Sequence, residues 1–279
     1  MIQFIAGLLL FANPPAEIAR EAQGRVGTLA VVLETNKVVL SLNAHDRFPM
    51  QSVYKLPIGM AVLSQANVKL DHIVHVDKPE YISSGQHSPL RDQNPNGANV
   101  SVQELLRLAV MESDGTASDV LLRLIGGAQA VMKYLASAQV HDVVVRDTEM
   151  ALGHDSQLQY RNSATPEGAI SVLRAFQESR GLSKPNHDLL AKYLIESTSF
   201  PTRIKGLLPP GTVVAHKTGS SGERNGIAAA TNDIGIVTLP GGNHLAIAVF
   251  VSDSKANSAT RDRVIAQIAR EAWDAAVAN

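Results

Sequence analysis

The chain has 279 residues, no cysteine, and 25 basic against 26 acidic side chains, which gives a net charge of −1. This length allows one large domain or two modest ones, and an apolar content of 45% supports a packed core. The charge balance disfavours binding to nucleic acid or an anionic membrane surface, and the lack of cysteine excludes disulfides, thiolate nucleophiles and Cys-ligated metals. Any nucleophile must therefore be a hydroxyl, an amine or a carboxylate.

The first segment, residues 1–12, has no charged side chain. Its apolar core has the length of a signal-peptide hydrophobic region and is too short to span a bilayer. We interpret it as a signal-peptide remnant and expect a secreted or periplasmic protein that has no membrane association in its mature form. A truncated start or a buried N-terminal helix is the alternative.

Hydrophobic periodicity predicts strands near both chain ends and helices between them. The first two strands, 27–34 and 37–43, are joined by a short polar turn and form a hairpin. The predicted helices are 53–65, 100–111, 117–125, 129–138, 165–178 and 187–197, followed by strands 212–217, 226–239 and 244–252 and a final helix 259–278.

This element order predicts an α/β (α+β) fold, with an antiparallel sheet flanked by helices and built from both chain ends. We expect 13–44 and 200–279 to form the sheet domain. An all-helical domain, 45–199, is inserted between these two segments. Clefts form at such seams, so the functional site is expected there.

Ser52 and Lys55 stand three residues apart at the start of an apolar helix, where such a pair shares a face. A serine hydroxyl needs an adjacent base to become a nucleophile, and a lysine can serve as one. The same spacing recurs at Ser252 and Lys255, but that pair follows a strand and enters a polar turn. The helical context favours the first pair, although alone it would be an ordinary helix start.

Two further motifs follow in the chain: Ser113-Asp114-Gly115 between two predicted helices, and Lys217-Thr218-Gly219-Ser220 at the end of a predicted strand. The second offers a cation, a hydroxyl and backbone N–H groups near one point, which suits a carboxylate and an oxyanion. Each motif alone would be read as a cap or a turn. Three motifs in this order, each on the expected kind of element, are not coincidence.

With these three motifs the chain resembles the class A serine β-lactamases over about residues 18–277. The resemblance implies that the β-lactam carbonyl acylates Ser52, that Lys55 accepts or relays the proton, and that Ser113 protonates the departing ring nitrogen. It further implies that Lys217 and Thr218 hold the substrate carboxylate. The backbone N–H groups of the nucleophile and of the fourth residue in the Lys-Thr-Gly-Ser motif would form the oxyanion hole.

Further positions are carried over from the same resemblance. Glu149 lies where the family's omega loop supplies the base for deacylation, and Arg203 lies where some members supply a second carboxylate-binding guanidinium. His87 is placed at the cleft wall. Gly115 and Gly219 are counted among the positions that contact substrate.

The departures from the family pattern concern the omega loop and the second motif. Gly115 and Gly153 stand where the family usually has asparagines, one contacting the substrate and one holding the hydrolytic water; His154 or the loop backbone would then hold that water. Asp147 occupies the usual arginine place of the loop's ion pair, and Asn162 the partner place. This is similar to the extended-spectrum subgroup with an unusual omega loop.

The function that the resemblance implies is hydrolysis of penicillins and cephalosporins, and with it antibiotic resistance, by a monomer that uses no cofactor and no metal. His72 and His75 fall on opposite faces of a strand-like stretch, which is unsuited to a shared metal. The alternatives are a penicillin-binding DD-peptidase or a β-lactam sensor, either of which would keep a stable acyl-enzyme, and a Ser-Lys glutaminase of related fold. Glu149 favours the hydrolase, whereas Gly153 keeps slow deacylation open.

Overall fold

The computed structural model describes residues 14–278, so the predicted signal segment lies outside the described residues. The helices are α1 Pro14–Glu21, α2 Lys55–Leu63, α3 Pro89–Gln93, α4 Val102–Val110, α5 Gly115–Ile125, α6 Ala128–Ser137, α7 Glu149–His154, α8 Pro166–Gln177, α9 Lys184–Glu196 and α10 Ser258–Val277. The strands are β1 Arg25–Val32, β2 Lys37–Leu42, β3 Phe48–Pro49, β4 Ile73–Val76, β5 Ala98–Ser101, β6 Val143–Val144, β7 Ser163–Ala164, β8 Val214–Ser220, β9 Glu223–Arg224, β10 Ile227–Ala228, β11 Thr231–Thr238 and β12 His244–Ser252.

The main sheet has five antiparallel strands in the order β2-β1-β12-β11-β8. Its centre joins the two chain ends, because β1 pairs with β12 from Arg25 opposite Ser252 to Val32 opposite Leu245. The apolar run of β12 is buried on both faces, as expected of a central strand. The predicted antiparallel sheet built from both ends of the chain is therefore confirmed.

Helices cover both faces of this sheet. On one face α10 packs with α1, and its apolar stripe of Val264, Ile265 and Ile268 meets the outer residues of β1 and β12. On the other face α8 packs against β1 and β12, and beyond it lies the core around α2. All residues of α2 are buried, which explains why the helix after Lys55 is apolar all round rather than amphipathic.

The structure differs from the predicted elements in two places near the cleft. The predicted strand 226–239 is interrupted: β10 pairs with β9, and only β11 joins the main sheet. The predicted strand 212–217 runs three residues further, so that the Lys217-Thr218-Gly219-Ser220 motif forms the last four residues of β8. Both results follow from pairing with β11, which extends the edge strand through the motif.

Contacts across the proposed domain seam are extensive. Although α8 belongs to the inserted segment, it packs directly on the central strands of the sheet. The division into 13–44 with 200–279 and 45–199 stays a prediction. Among residues 14–278, no helix is both long and apolar enough to cross a membrane.

Candidate active site

A cleft of about 860 Å³ lies between the β8 edge, the start of α2, the loop before α3 and the segment around α7. Nine of the residues singled out from the sequence line it: Ser52, Lys55, His87, Ser113, Glu149, Gly153, Thr218, Gly219 and Ser220. Lys217 is not among them. The structure thus gathers side chains that are up to about 170 positions apart in the chain, which agrees with a site at the seam of the fold.

Ser52 stands in a single 3-10 turn, Gln51–Tyr54, that continues directly into α2. Lys55, one turn later, is 2% exposed. Its Nζ donates to Ser52 Oγ at 3.0 Å and to the Ser113 carbonyl at 2.6 Å, and it pairs with Glu149 Oε1 at 2.9 Å. The three protons of a buried ammonium group are therefore all used, and the group joins the hydroxyl to the carboxylate.

Left-handed backbone presents both serines to the cleft. Gln51, immediately before the nucleophile candidate, has φ of 48°, and Ser113 has φ of 64°. Such conformations are costly for residues with a Cβ and persist where the surroundings hold them. Here the Gln51 side chain donates to Gln159 Oε1 at 2.9 Å, while the Ser113 carbonyl accepts from Lys55.

Lys217 lies beneath Ser113 and is 2% exposed. Its Nζ donates to Ser113 Oγ at 2.9 Å and to the Thr218 carbonyl at 3.1 Å. Burial, and after it the positive charge of Lys55, lowers the pKa of Lys217 to about 7. This amine can therefore hold or release a proton near neutral pH.

Gly219 brings the β8 backbone against the turn that carries Ser52. A Cβ at Gly219 would overlap the Met50 carbonyl oxygen and lie 3.1 Å from the Ser52 nitrogen. The Asn232 amide, on the paired strand β11, donates to the Pro49 and Met50 carbonyls at 2.7 and 3.1 Å. Only a residue without a side chain permits this approach, which places the end of β8 beside the first N–H groups of the helix.

Arg203 lies behind the end of β8, and its expected role in binding the substrate carboxylate stays a prediction. It is 2% exposed and is not among the residues that line the cleft. Its guanidinium donates to Asp262 at 2.8 Å, to the Asn232 carbonyl at 2.9 Å and to Ser220 Oγ at 2.7 Å. All three nitrogens of the guanidinium thus donate to protein acceptors, with Asp262 of α10 on one side and the end of β8 on the other. Arg203 therefore supports the end of β8 from behind.

Gly115 is also absent from the cleft lining, although it was expected to contact substrate. It is the first residue of α5, is buried, and donates its N–H to the His87 carbonyl at 3.0 Å. A Cβ there would overlap Ile82 and come within 3.3 Å of the Glu149 side chain. His87 is exposed at the cleft wall, with Nε2 2.9 Å from the Glu112 carbonyl.

Glu149 begins α7, and Thr148 caps this helix by accepting from the Ala151 N–H at 3.2 Å. The carboxylate of Asp119 accepts the N–H groups of Glu149 and Met150, both at 2.8 Å. Burial, and after it the charge of Glu149, raises the pKa of Asp119 to about 7 despite these hydrogen bonds. Asp119 could not be predicted from the sequence, because no local signal marks a residue whose partner is 30 positions away.

Comparison with known proteins agrees with this geometry. Residues 12–276 match the model of the β-lactamase enzyme family. β-Lactamase VEB-1 of Pseudomonas aeruginosa is 37% identical over 92% of this chain and 87% of its own length, and extended-spectrum β-lactamase PER-1 of the same species is 40% identical over 84% and 77%. A β-lactamase structure from Chitinophaga pinensis has a TM-score of 0.90 at 42% identity, covering 94% of this chain and 97% of its own.

The chain belongs to the class A β-lactamase family. The resemblance drawn from three short motifs is thereby confirmed, as is the assignment to serine β-lactamase hydrolases. Two extended-spectrum enzymes, PER-1 and TLA-1, are among its relatives, which supports the predicted subgroup.

The omega loop of this β-lactamase is closed differently from the sequence expectation. Asp147 pairs with Arg161 at 3.1 Å, so an ion pair is present with the acid first and the base second. Next to it, Asn162 Oδ1 accepts the N–H groups of Arg146 and Asp147 at 2.8 and 2.9 Å. The Tyr160 hydroxyl also donates to Asp253 Oδ1, just after β12, at 2.6 Å and so connects the loop to the main sheet. The two ends of the omega loop are therefore held together by the Asp147–Arg161 ion pair and by Asn162, and not by the family's usual Arg–Asp pair.

Proposed function

We propose that this β-lactamase opens the ring of penicillins and cephalosporins through an ester on Ser52, which a water activated by Glu149 then hydrolyses, and that it thereby confers antibiotic resistance. One observation supports this most strongly. The Lys55 ammonium contacts Ser52 Oγ and Glu149 Oε1 at the same time, at 3.0 and 2.9 Å.

Acylation needs the proton of Ser52 to leave as the oxygen attacks the lactam carbonyl carbon. A charged Lys55 cannot accept it, so a proton first passes from Lys55 to Glu149 across their ion pair. The neutral amine then takes the Ser52 proton, the Oγ–C bond forms and the C–N bond of the ring breaks. Backbone N–H groups of Ser52 and Ser220 stabilise the oxyanion during this step.

The leaving nitrogen receives its proton from the Ser113 hydroxyl, which takes a proton in turn from Lys217 Nζ, 2.9 Å away. At the acyl-enzyme stage Glu149 holds one extra proton and Lys217 lacks one, so the total charge is unchanged. Exchange with solvent restores both groups. The lowered pKa of Lys217, about 7, suits a residue that gives and regains a proton at neutral pH.

Deacylation requires Glu149 as a carboxylate. It removes a proton from a water that attacks the ester carbonyl, the bond between Ser52 Oγ and the acyl carbon breaks, and the Ser52 oxygen receives the proton that Glu149 took from the water. Asp119 fixes the Glu149 N–H at 2.8 Å and so helps set the direction of this side chain. Lys217 and Thr218, at the β8 edge, bind the substrate carboxylate, as their side chains provide a charge and a hydroxyl.

The test is to mix the purified protein with a chromogenic cephalosporin and with benzylpenicillin while recording ring opening and intact mass. We expect repeated turnover by the wild-type protein, and neither turnover nor adduct in Ser52→Ala. A susceptible bacterium that expresses the full chain should tolerate more penicillin than one expressing Ser52→Ala.

A single burst of ring opening followed by a persistent adduct would overturn the proposed hydrolysis. That outcome would favour the alternative of a penicillin-binding DD-peptidase or a sensor, both of which retain the acyl group. Turnover that survives in Ser52→Ala would exclude Ser52 as nucleophile.

A further inference from the structure

One loop fills the space beside two glycines: Gly115, which lies against the Glu149 side chain, and Gly153, four residues after Glu149 in α7. A Cβ on Gly115 would overlap the Ile82 side chain, and a Cβ on Gly153 would overlap Gln86 Oε1 and lie 2.8 Å from its Cδ. Gly115 opens α5 and Gly153 lies within α7, so these positions belong to different elements. The segment Ile82–Gln86 thus occupies the volume that side chains at both glycines would need.

Gln86 also joins this loop to the backbone of Glu149. Its Nε2 donates to the Glu149 carbonyl at 2.6 Å. Its Oε1 accepts from the N–H and the hydroxyl of Ser83 at 3.2 and 2.9 Å. Because two donors face Oε1 and a carbonyl faces Nε2, the orientation of the amide is fixed by its partners.

The loop is rigid enough to hold Glu149. Arg91 donates to the carbonyls of Ile82 and Gln86, both at 3.1 Å, and to that of Ser83. Ile82 is 2% exposed and its N–H donates to a threonine hydroxyl of α5 at 3.3 Å. The carbonyl of Glu149 is thus held by Gln86 while Asp119 holds its N–H, so both ends of this residue are fixed from outside α7.

We propose that Gln86 is a positioning residue for deacylation: its amide, seated in the space left by Gly153, holds the backbone of Glu149 so that the carboxylate addresses the hydrolytic water. This inference rests on the proposed function. It predicts that a loss at Gln86 slows the second chemical step, which needs the Glu149 carboxylate aimed at a water. The first step is spared, because there Glu149 only accepts a proton across its direct contact with Lys55 at 2.9 Å.

The test measures kcat and KM for benzylpenicillin in Gln86→Ala, Gln86→Met and Gly153→Ala. When deacylation alone slows, kcat and KM fall together and kcat/KM is unchanged, while intact mass shows more acyl-enzyme at steady state. We expect a fall of about tenfold in both kcat and KM, as for one lost hydrogen bond. Gln86→Met retains volume without the donor and should behave like Gln86→Ala.

Gly153→Ala acts on the same hydrogen bond from the other side, because its Cβ displaces the Gln86 amide. The double variant Gln86→Ala with Gly153→Ala should therefore be no slower than either single variant. Gly241→Ala, in the β11–β12 turn where a Cβ meets open space, is the matched control and should leave kcat and KM unchanged.

Wild-type rates in Gln86→Met, or effects that multiply in the double variant, would overturn the proposal. A change confined to thermal stability, with the same kcat and the same acyl-enzyme fraction, would also overturn it. Failure of the proposed function is distinct: the wild-type protein itself would then show no turnover, or a permanent adduct, before any variant is made.

Discussion

Arg203→Ala separates a guanidinium that binds substrate directly from one that supports the end of β8. Arg203 donates to Asp262, to Ser220 Oγ and to the carbonyls of Gly219 and Asn232, at distances from 2.7 to 3.4 Å. Truncation leaves the Asp262 carboxylate, 15% exposed, without its cation. Breaking a buried ion pair from one side costs about 3–5 kcal/mol.

For a protein of this size about 1 kcal/mol corresponds to roughly 2 °C in Tm, so Arg203→Ala should lower Tm by roughly 6–10 °C. Calorimetry on the purified variants measures this directly. The matched control is Arg263→Ala on α10, the helix that carries Asp262, because both Arg263 and its ion-pair partner Glu21 are about half exposed. Such a pair contributes less than about 1 kcal/mol.

An unchanged Tm in Arg203→Ala, together with a raised KM, would refute this reasoning. That result would mean that the guanidinium is free to bind the substrate carboxylate, as the sequence analysis expected. A fall in Tm no larger than that of Arg263→Ala would also contradict the large stabilisation assigned to the buried Arg203–Asp262 ion pair.

Three further predictions concern pH and close packing. Because the pKa of Lys217 is about 7, its charged form is lost as pH rises through this value, and kcat/KM for a carboxylate-bearing substrate should fall there. Lys217→Arg should make kcat/KM independent of pH in this range. A wild-type kcat/KM that does not change with pH would contradict the role of Lys217 in binding the carboxylate. Asp119 binds its proton more tightly in the folded than in the unfolded state, so its contribution to stability falls as pH rises from about 4 to about 7. The Tm of the wild-type protein should therefore fall relative to that of Asp119→Asn as pH rises over that range. A Tm difference that does not depend on pH would exclude this linkage. Gly219→Ala should lower kcat by about 100-fold, as loss of an oxyanion donor does, because the backbone beside Ser52 must move; activity equal to that of Gly241→Ala would show that the approach is not required.

Periodicity and motif order predicted much of this protein because both depend on local sequence. The apolar run of β12 and the uniformly apolar α2 could be assigned from their residues alone, and Ser52 and Lys55 meet because a helical turn brings them together. Glu149 was placed through the family resemblance, by its position between the second and third motifs. These assignments need no knowledge of how distant segments pack.

The contacts that were missed all join segments far apart in the chain. Asp119 and Gln86 reach Glu149 across 30 and 63 positions, and nothing near either residue marks it as a partner. Arg203 was interpreted as a binder of the substrate carboxylate, and the sequence does not show that α10 brings Asp262 against its guanidinium. The glycines at 115 and 153 were read as missing side chains, whereas the structure fills both spaces from one loop.

The most direct test of the proposed mechanism is the intact mass of Glu149→Ala after mixing with benzylpenicillin. In this variant the Lys55 proton passes to water in the cleft instead of to Glu149, and the amine, still in contact with Ser52 Oγ, then accepts the Ser52 proton, so acylation proceeds. The account predicts a penicilloyl adduct that persists after free drug is removed, while the wild-type protein returns to its unmodified mass. An unmodified Glu149→Ala protein, or one that releases the adduct as fast as the wild type, would contradict the role of Glu149 in deacylation.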